Sequence, residues 1–277
     1  MRGEVFALLG PNGAGKTTTV EILEGHRDRT AGEVSVLGYD PARSQRDLKE
    51  RIGIVLQSTG VEPYLKVEET IDLFRGYYPH PLPLDEILDV IGLEEQRRTP
   101  VKRLSGGQQR RLDVAIGLAG DPELLFLDEP TTGFDPSARR GAWEMVRNLQ
   151  SLGKTIVLTT HYMDEAEHLA DRVAIMVHGR IVAQGTPGDL VRREDSTTIR
   201  FRLATWPEDL PPGLEARSTG GGQYTIVTDA PTHRLHLLTG WATDRGLELE
   251  DLTVSRPSLE DVFMELTAPP ELGQGRE

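Results

Sequence analysis

Three clusters of residues in this chain have the types and spacing to handle phosphate. Residues 10–17 read Gly-Pro-Asn-Gly-Ala-Gly-Lys-Thr and fit G-x-x-x-x-G-K-[ST]. In such a run the loop of Gly10, Pro11, Asn12, Gly13, Ala14 and Gly15 wraps its backbone N–H groups, which Pro11 alone lacks, around an anion, and glycine keeps Cβ atoms out of the way. A helix opening at its end adds positive potential. Lys16 then neutralises the β- and γ-phosphates and the Thr17 hydroxyl ligates Mg²⁺, so the implied ligand is Mg-ATP. Residues 124–129, Leu-Leu-Phe-Leu-Asp-Glu, are an apolar run ending in two carboxylates. Asp128 can reach the same Mg²⁺, and Glu129 can orient and deprotonate an attacking water. Leu104, Ser105, Gly106, Gly107 and Gln108 open a helix and form a second anion site. Each cluster has a bland counterpart: a chance glycine-rich turn, a polar strand end, and an N-cap serine with two loop glycines.

Such residues need a scaffold. Residues 4–9 form a short apolar run just before the first loop and predict a buried strand. Residues 17–24 predict a helix, and 32–37 and 51–57 predict strands. Residues 67–78 and 84–91 look helical, divided by proline-rich 79–83. After the glycine pair at 106–107, residues 109–119 predict a helix and 124–127 a buried strand. A helix over 138–152, a strand over 155–160, a helix over 164–170 and a strand over 173–177 follow. Alternating strands and helices imply an α/β fold, a parallel sheet with helices on both faces. Near residue 193 the pattern changes. Alternation over 198–203, 223–228 and 247–254, with helical spacing around 235–241, predicts a small α+β domain over 196–267. Ser258 and Asp261 make a capping box ahead of an apolar face at Leu259, Val262, Phe263 and Leu266. Residues 268–277 read as a loose tail.

Composition narrows the class. The chain has 277 residues, 37% apolar, with no cysteine and a net charge of −13. Disulfides, thiolate metal sites and iron–sulfur clusters are excluded. The acidic balance argues against nucleic acid as a partner. No apolar run approaches the ~18 residues of a membrane helix, and no export signal opens the sequence.

In this order the glycine-rich loop, Leu-Ser-Gly-Gly-Gln and the Asp-Glu strand end resemble the nucleotide-binding subunit of ABC transporters, over roughly residues 1–190. The resemblance implies a P-loop NTPase sheet over 1–193 with a helical subdomain at about 58–112, and ATP and Mg²⁺ as ligands. It implies nucleotide contacts from Thr18 as well, and a glutamine-loop role for Gln57 at Mg²⁺ or water. His161 matches the switch histidine that contacts the γ-phosphate. Asp135 matches the D-loop, although Phe134 stands where leucine is common and Asp135 can also cap the helix after Pro136.

In that family two ATP-binding subunits pair head to tail, so Ser105–Gln108 of one closes over the nucleotide of the other. Their closure drives integral membrane permease subunits, with the helical segment 58–103 docking against them. The chain would sit in the cytoplasm, peripheral on the inner face of the cell membrane. Residues 257–267 and 131–136 are similar to exporters of the daunorubicin-resistance type, which implies a drug, antibiotic or lipid-like substrate. A non-transport ABC ATPase in regulation or repair is the alternative. The family also carries an outer strand pair and an adenine-stacking aromatic ahead of the phosphate-loop strand. They are absent from these residues and are expected to be encoded upstream of Met1.

Overall fold

The computed structural model describes residues 1–43, 45–55, 60–191, 197–203, 214–255 and 258–267. They fall into two compact units, Met1–Pro187 and Gly188–Glu277.

The first unit is built on a six-stranded sheet. Its strands are β1 (Val5–Leu9), β2 (Ile52–Val55), β3 (Leu124–Asp128), β4 (Thr155–Thr160), β5 (Arg172–Val177) and β6 (Arg180–Gly185). The order is β2-β3-β4-β1-β5-β6. Every neighbouring pair is parallel except β5–β6, which is antiparallel. β1, β3 and β5 read as near-continuous apolar runs because strands of a parallel sheet are covered on both faces.

Side chains of alternate residues mark those faces. Ile52, Leu124 and Phe126, joined by the partly buried Ile54 and Val157, pack with Val20 and Leu23 of helix α1 (Lys16–Glu24). Gly53 points the other way. A Cβ there would stand 2.2 Å from Gly117 O and 2.6 Å from Leu125 Cδ2. The glycine therefore lets a long helix lie almost backbone to backbone on the sheet. That helix is α5 (Gly106–Leu118), preceded in the chain by α2 (Arg46–Lys49), α3 (Val67–Arg75) and α4 (Leu84–Ile91). α3 and α4 both pack on α5, a helical layer within residues 60–118. α6 (Pro136–Ser151) and α7 (Met163–Leu169) pack together, and α7 lies against β1 and β4.

Two expectations need correction. Residues 32–37 are not a strand: Val36 only exchanges hydrogen bonds with Tyr39 across a tight turn. Leu37 and Gly38 both have positive φ there, 51° and 87°. Alternating polarity alone makes no strand without a neighbour, and among the described residues this segment pairs only with itself. The sheet is also not wholly parallel, because β6 adds an antiparallel edge that the sequence reading passed over. Expected strand residues 56 and 57 lie outside the described residues. Among the described residues no helix is long and apolar enough to cross a membrane.

In the second unit, after the short α8 (Pro187–Val191), come β7 (Thr197–Arg202), β8 (Arg217–Gly220), β9 (Gln223–Thr228), α9 (Pro231–Asp244), β10 (Glu250–Ser255) and α10 (Leu259–Thr267). The strands form an antiparallel sheet in the order β10-β7-β9-β8. Ile199, Phe201, Tyr224 and Ile226 from its inner face meet Leu238 and Trp241 of α9. Ser258 and Asp261 form the expected capping box, with Asp261 N–H donating to Ser258 Oγ at 3.2 Å and Ser258 N–H donating to Asp261 Oδ2 at 2.7 Å.

Candidate functional site

The loop 10–15 leaves β1 at the carboxyl edge of the sheet and ends at the start of α1, with Gly15 as N-cap at φ 102°. The first amides of a helix have no acceptor within it, and glycine offers no side chain to satisfy them. Such amides remain available as donors for an anion. Three anchors hold the loop. Gly10 N–H donates to Thr160 O at 3.2 Å, Ala14 N–H to Pro11 O at 3.1 Å, and Gly179 N–H to Ala14 O at 2.8 Å. Gly10 itself admits no side chain, since a Cβ would come within 2.4 Å of Met176 O. The turn between β5 and β6 thus supports the loop from behind.

Lys16 is 5% exposed and donates to Gly10 O at 2.8 Å and Pro11 O at 3.3 Å. Its Nζ lies 3.6 Å from Glu129 Oε1. Burial lowers its pKa, against the opposing charges of Glu129 and Asp128. Thr17 and Thr18 are exposed in the first turn of α1, and Thr18 Oγ1 accepts from Arg27 at 3.3 Å.

Asp128 ends β3 in register with Thr159 of β4. The Thr159 hydroxyl donates to Asp128 Oδ1 and accepts from Glu129 N–H at 3.0 Å. Glu129 has φ 45°, a left-handed conformation uncommon for a residue with a Cβ. Its carboxylate accepts from Thr132 Oγ1 at 3.0 Å and sits 3.1 Å from His161 Nδ1. Burial pushes its pKa up, but His161, Thr132 and Lys16 together hold it below the usual glutamate range. Glu24, buried at the end of α1, is pushed up to about 7 by burial and by the charges of Asp128 and Glu21.

Ser105 is the N-cap of α5, and its Oγ accepts from Gln108 N–H at 3.3 Å. Gln108 Oε1 accepts from Ser105 N–H at 2.9 Å, completing a capping box. The capping reading of these residues therefore holds as local structure. Ser105, Gly107 and Gln108 share a cavity of about 370 Å³ with Asp135. Asp135 Oδ1 accepts from Ser137 N–H at 2.8 Å and Ala138 N–H at 2.9 Å, capping α6. Gly106 and Glu129 line a second cavity of about 570 Å³. No residue of 10–17 lines either one.

The chain thus brings Lys16, Asp128, Glu129 and His161 together, gathers Ser105, Gly107, Gln108 and Asp135 around a separate cavity, and leaves Gly106 on the cavity that Glu129 also lines. Gln57 lies outside the described residues. Sequence reasoning missed several neighbours. Arg110 Nη2 donates to Asp128 O at 2.9 Å, and Thr159, Thr132 and Gly179 are placed as above. Only Thr159 left a signal, as a polar residue near the end of the strand expected over 155–160.

Comparison with known proteins adds an independent line. The model of the family described as "ABC transporter" matches residues 1–132, and one described as "ABC transporter domain-containing protein-like, C-terminal domain" matches residues 197–258. Nod factor export ATP-binding protein I of Sinorhizobium fredii (strain NBRC 101917 / NGR234) is 38% identical over 275 residues, covering 96% of this chain and 78% of that protein. Daunorubicin resistance ATP-binding protein DrrA3 of Streptomyces coeruleorubidus is 37% identical over 280 residues, covering 96% and 88%. Among solved structures, cbiO1 from Clostridium perfringens, part of the ABC transporter complex cbiONQ, superposes with a TM-score of 0.62 at 32% identity. That match covers 69% of this chain and 80% of that one. A dimeric ATP-binding cassette in a post-hydrolysis state, bound to ADP and Pi, superposes with a TM-score of 0.58 at 26% identity. It covers 67% and 86%.

Proposed function

The chain belongs to the ABC transporter family as an ATP-binding, ATP-hydrolysing subunit, and from that premise we propose which residues do the work and what the work drives. The loop 10–18 holds the triphosphate through the Lys16 ammonium and those backbone N–H groups not already donating within the protein, as Gly10 and Ala14 do. Glu129 takes the proton of the attacking water, and His161 contacts the γ-phosphate and orients Glu129. One observation carries this reading: Lys16 and His161 converge on a single carboxylate, Glu129, at 3.6 Å and 3.1 Å.

Magnesium fits the donors present. Among the described residues no three His, Cys, Asp or Glu side chains cluster as a protein-only cage. Thr17 and Asp128, with Gln57, suit an ion that keeps waters and phosphate oxygens as its other ligands. When bound, the ion spreads the negative charge of the β- and γ-phosphates. The residues supply the rest by position and charge, with no covalent step.

Ser105, Gly106, Gly107 and Gln108 act on a second subunit's nucleotide, and Asp135 lies at the same junction. The cavity that Ser105, Gly107 and Gln108 share with Asp135 is lined by no residue of 10–17, which supports that reading. One relative named above is an export protein by name and the other a daunorubicin-resistance protein, which supports a role driving integral membrane permease subunits that export a drug, antibiotic or lipid-like molecule. The chain then works in the cytoplasm against the inner face of the membrane. The test is Glu129→Gln: it traps an ATP-bound dimer, seen by size exclusion, with little turnover. Wild-type turnover in that variant overturns the assignment. Copurification with an integral membrane protein tests the permease partner, and copurification with ribosomes or DNA instead counts against it.

A further inference from the structure

His161 touches Glu129 along one edge only. A single in-plane contact leaves an imidazole free to swing about that contact. The structure supplies a second contact. The Tyr162 ring lies against the His161 ring, with centroids 4.1 Å apart and planes 38° apart. Tyr162 is itself held twice. Its N–H donates to Thr160 Oγ1 at 2.9 Å, and the Arg139 guanidinium carbon lies 4.4 Å from its ring centroid.

Arg139 stands in the first turn of α6, where its N–H donates to Asp135 O at 3.0 Å. Its Nη1 donates to Asp164 Oδ2 at 3.2 Å. Its Nε is sequestered from solvent with no hydrogen-bond partner. Leaving such a donor unpaired costs free energy, and the cation–π contact with Tyr162 offsets it. Both ends of the 129–139 segment therefore grip the same dipeptide, Glu129 on His161 and Arg139 on Tyr162.

We propose that Tyr162 is a positioning residue for His161, held in place by Arg139, so that the placement of the α6 N-terminus sets the angle of the imidazole at Glu129. This rests on the reading of His161 given above. Stacking needs the ring and not the hydroxyl, so Tyr162→Phe should keep turnover while Tyr162→Ala loses it.

The experiment measures ATPase kinetics of the full chain carrying Tyr162→Ala, Tyr162→Phe, His161→Ala and the double variant Tyr162→Ala/His161→Ala. Thermal unfolding and ATP affinity are followed in each. We expect Tyr162→Ala to lower kcat about tenfold, a scale set by small misplacements of reacting groups, with KM for ATP little changed. Tyr162→Phe restores kcat, and the double variant is no slower than His161→Ala alone. If Tyr162→Ala does not fold, Arg139→Met carries the same criteria in its place.

A slow His161→Ala beside a wild-type Tyr162→Ala overturns the positioning role alone. So does a further tenfold loss in the double variant, or a Tyr162→Phe as slow as Tyr162→Ala. Wild-type turnover in His161→Ala overturns the reading of His161 and this inference together.

Discussion

Lys16 Nζ lies 3.6 Å from Glu129 Oε1 while donating to the carbonyl of Gly10. The loop's one ammonium is thus tied to protein acceptors at the centre of the site. A triphosphate has to draw it away from these acceptors with stronger, charge-assisted bonds. Lys16→Ala should therefore weaken ATP binding by at least about tenfold, the equivalent of one charged hydrogen bond. Lys16→Arg should weaken it as well, because a planar guanidinium does not fit a position this buried. Titration with a fluorescent ATP analogue measures both.

Ser105 offers a way to separate a cap from a phosphate contact. Ser105→Ala should cost about 1 kcal/mol of stability through the lost cap and also slow turnover. Ser105→Asp keeps a good cap and should hold the melting temperature near wild type. Its negative charge would face the partner's γ-phosphate, so turnover should be lost. A Ser105→Asp variant with normal turnover would show that Ser105 only caps α5.

Asp113 on α5 gives a pH prediction. Burial pushes its carboxyl up to about 6, with the nearby Arg110 pulling the other way. A carboxyl with a raised folded pKa favours the folded state most when protonated. Its contribution is present below the ordinary aspartate range and is lost as pH rises through about 6. Asp113→Asn removes that loss. Its melting temperature relative to wild type should rise between pH 4 and pH 7. A flat difference across that range would contradict the shift.

Gly53→Ala should be severely destabilising. The added Cβ would meet Gly117 O at 2.2 Å, and a helix backbone cannot swing aside as a side chain tip can. Overpacking typically costs ~1–3 kcal/mol, and a clash with main chain belongs at or above the top of that range. Urea unfolding would show the loss as a lower midpoint.

Much of this was legible in the sequence. The loop at 10–17 and the carboxylates at 128–129 stand out because their residue types are contiguous and their strands are apolar throughout. β6 and β8 were missed for the opposite reason. Five of the six β6 residues are not buried and all four of β8 are exposed, so neither shows the apolar alternation that marks a strand. Residues 32–37 do alternate, but a strand exists only beside a neighbour, and pattern carries no information about one. The contact of Arg139 with Tyr162 is invisible for a similar reason. It arises because α6 and α7 pack together, and nothing local to either residue announces it.

The left-handed backbone at Glu129 has a consequence for how this position can change. An L-residue in that region is strained by roughly 1–2 kcal/mol, which glycine avoids and asparagine tolerates. Chain geometry at residue 129 thus favours glycine and asparagine, which discard the carboxylate, and aspartate, which keeps it on a side chain one methylene shorter. On the role proposed for Glu129, drift toward a sturdier backbone would cost turnover, and only selection for turnover would oppose it.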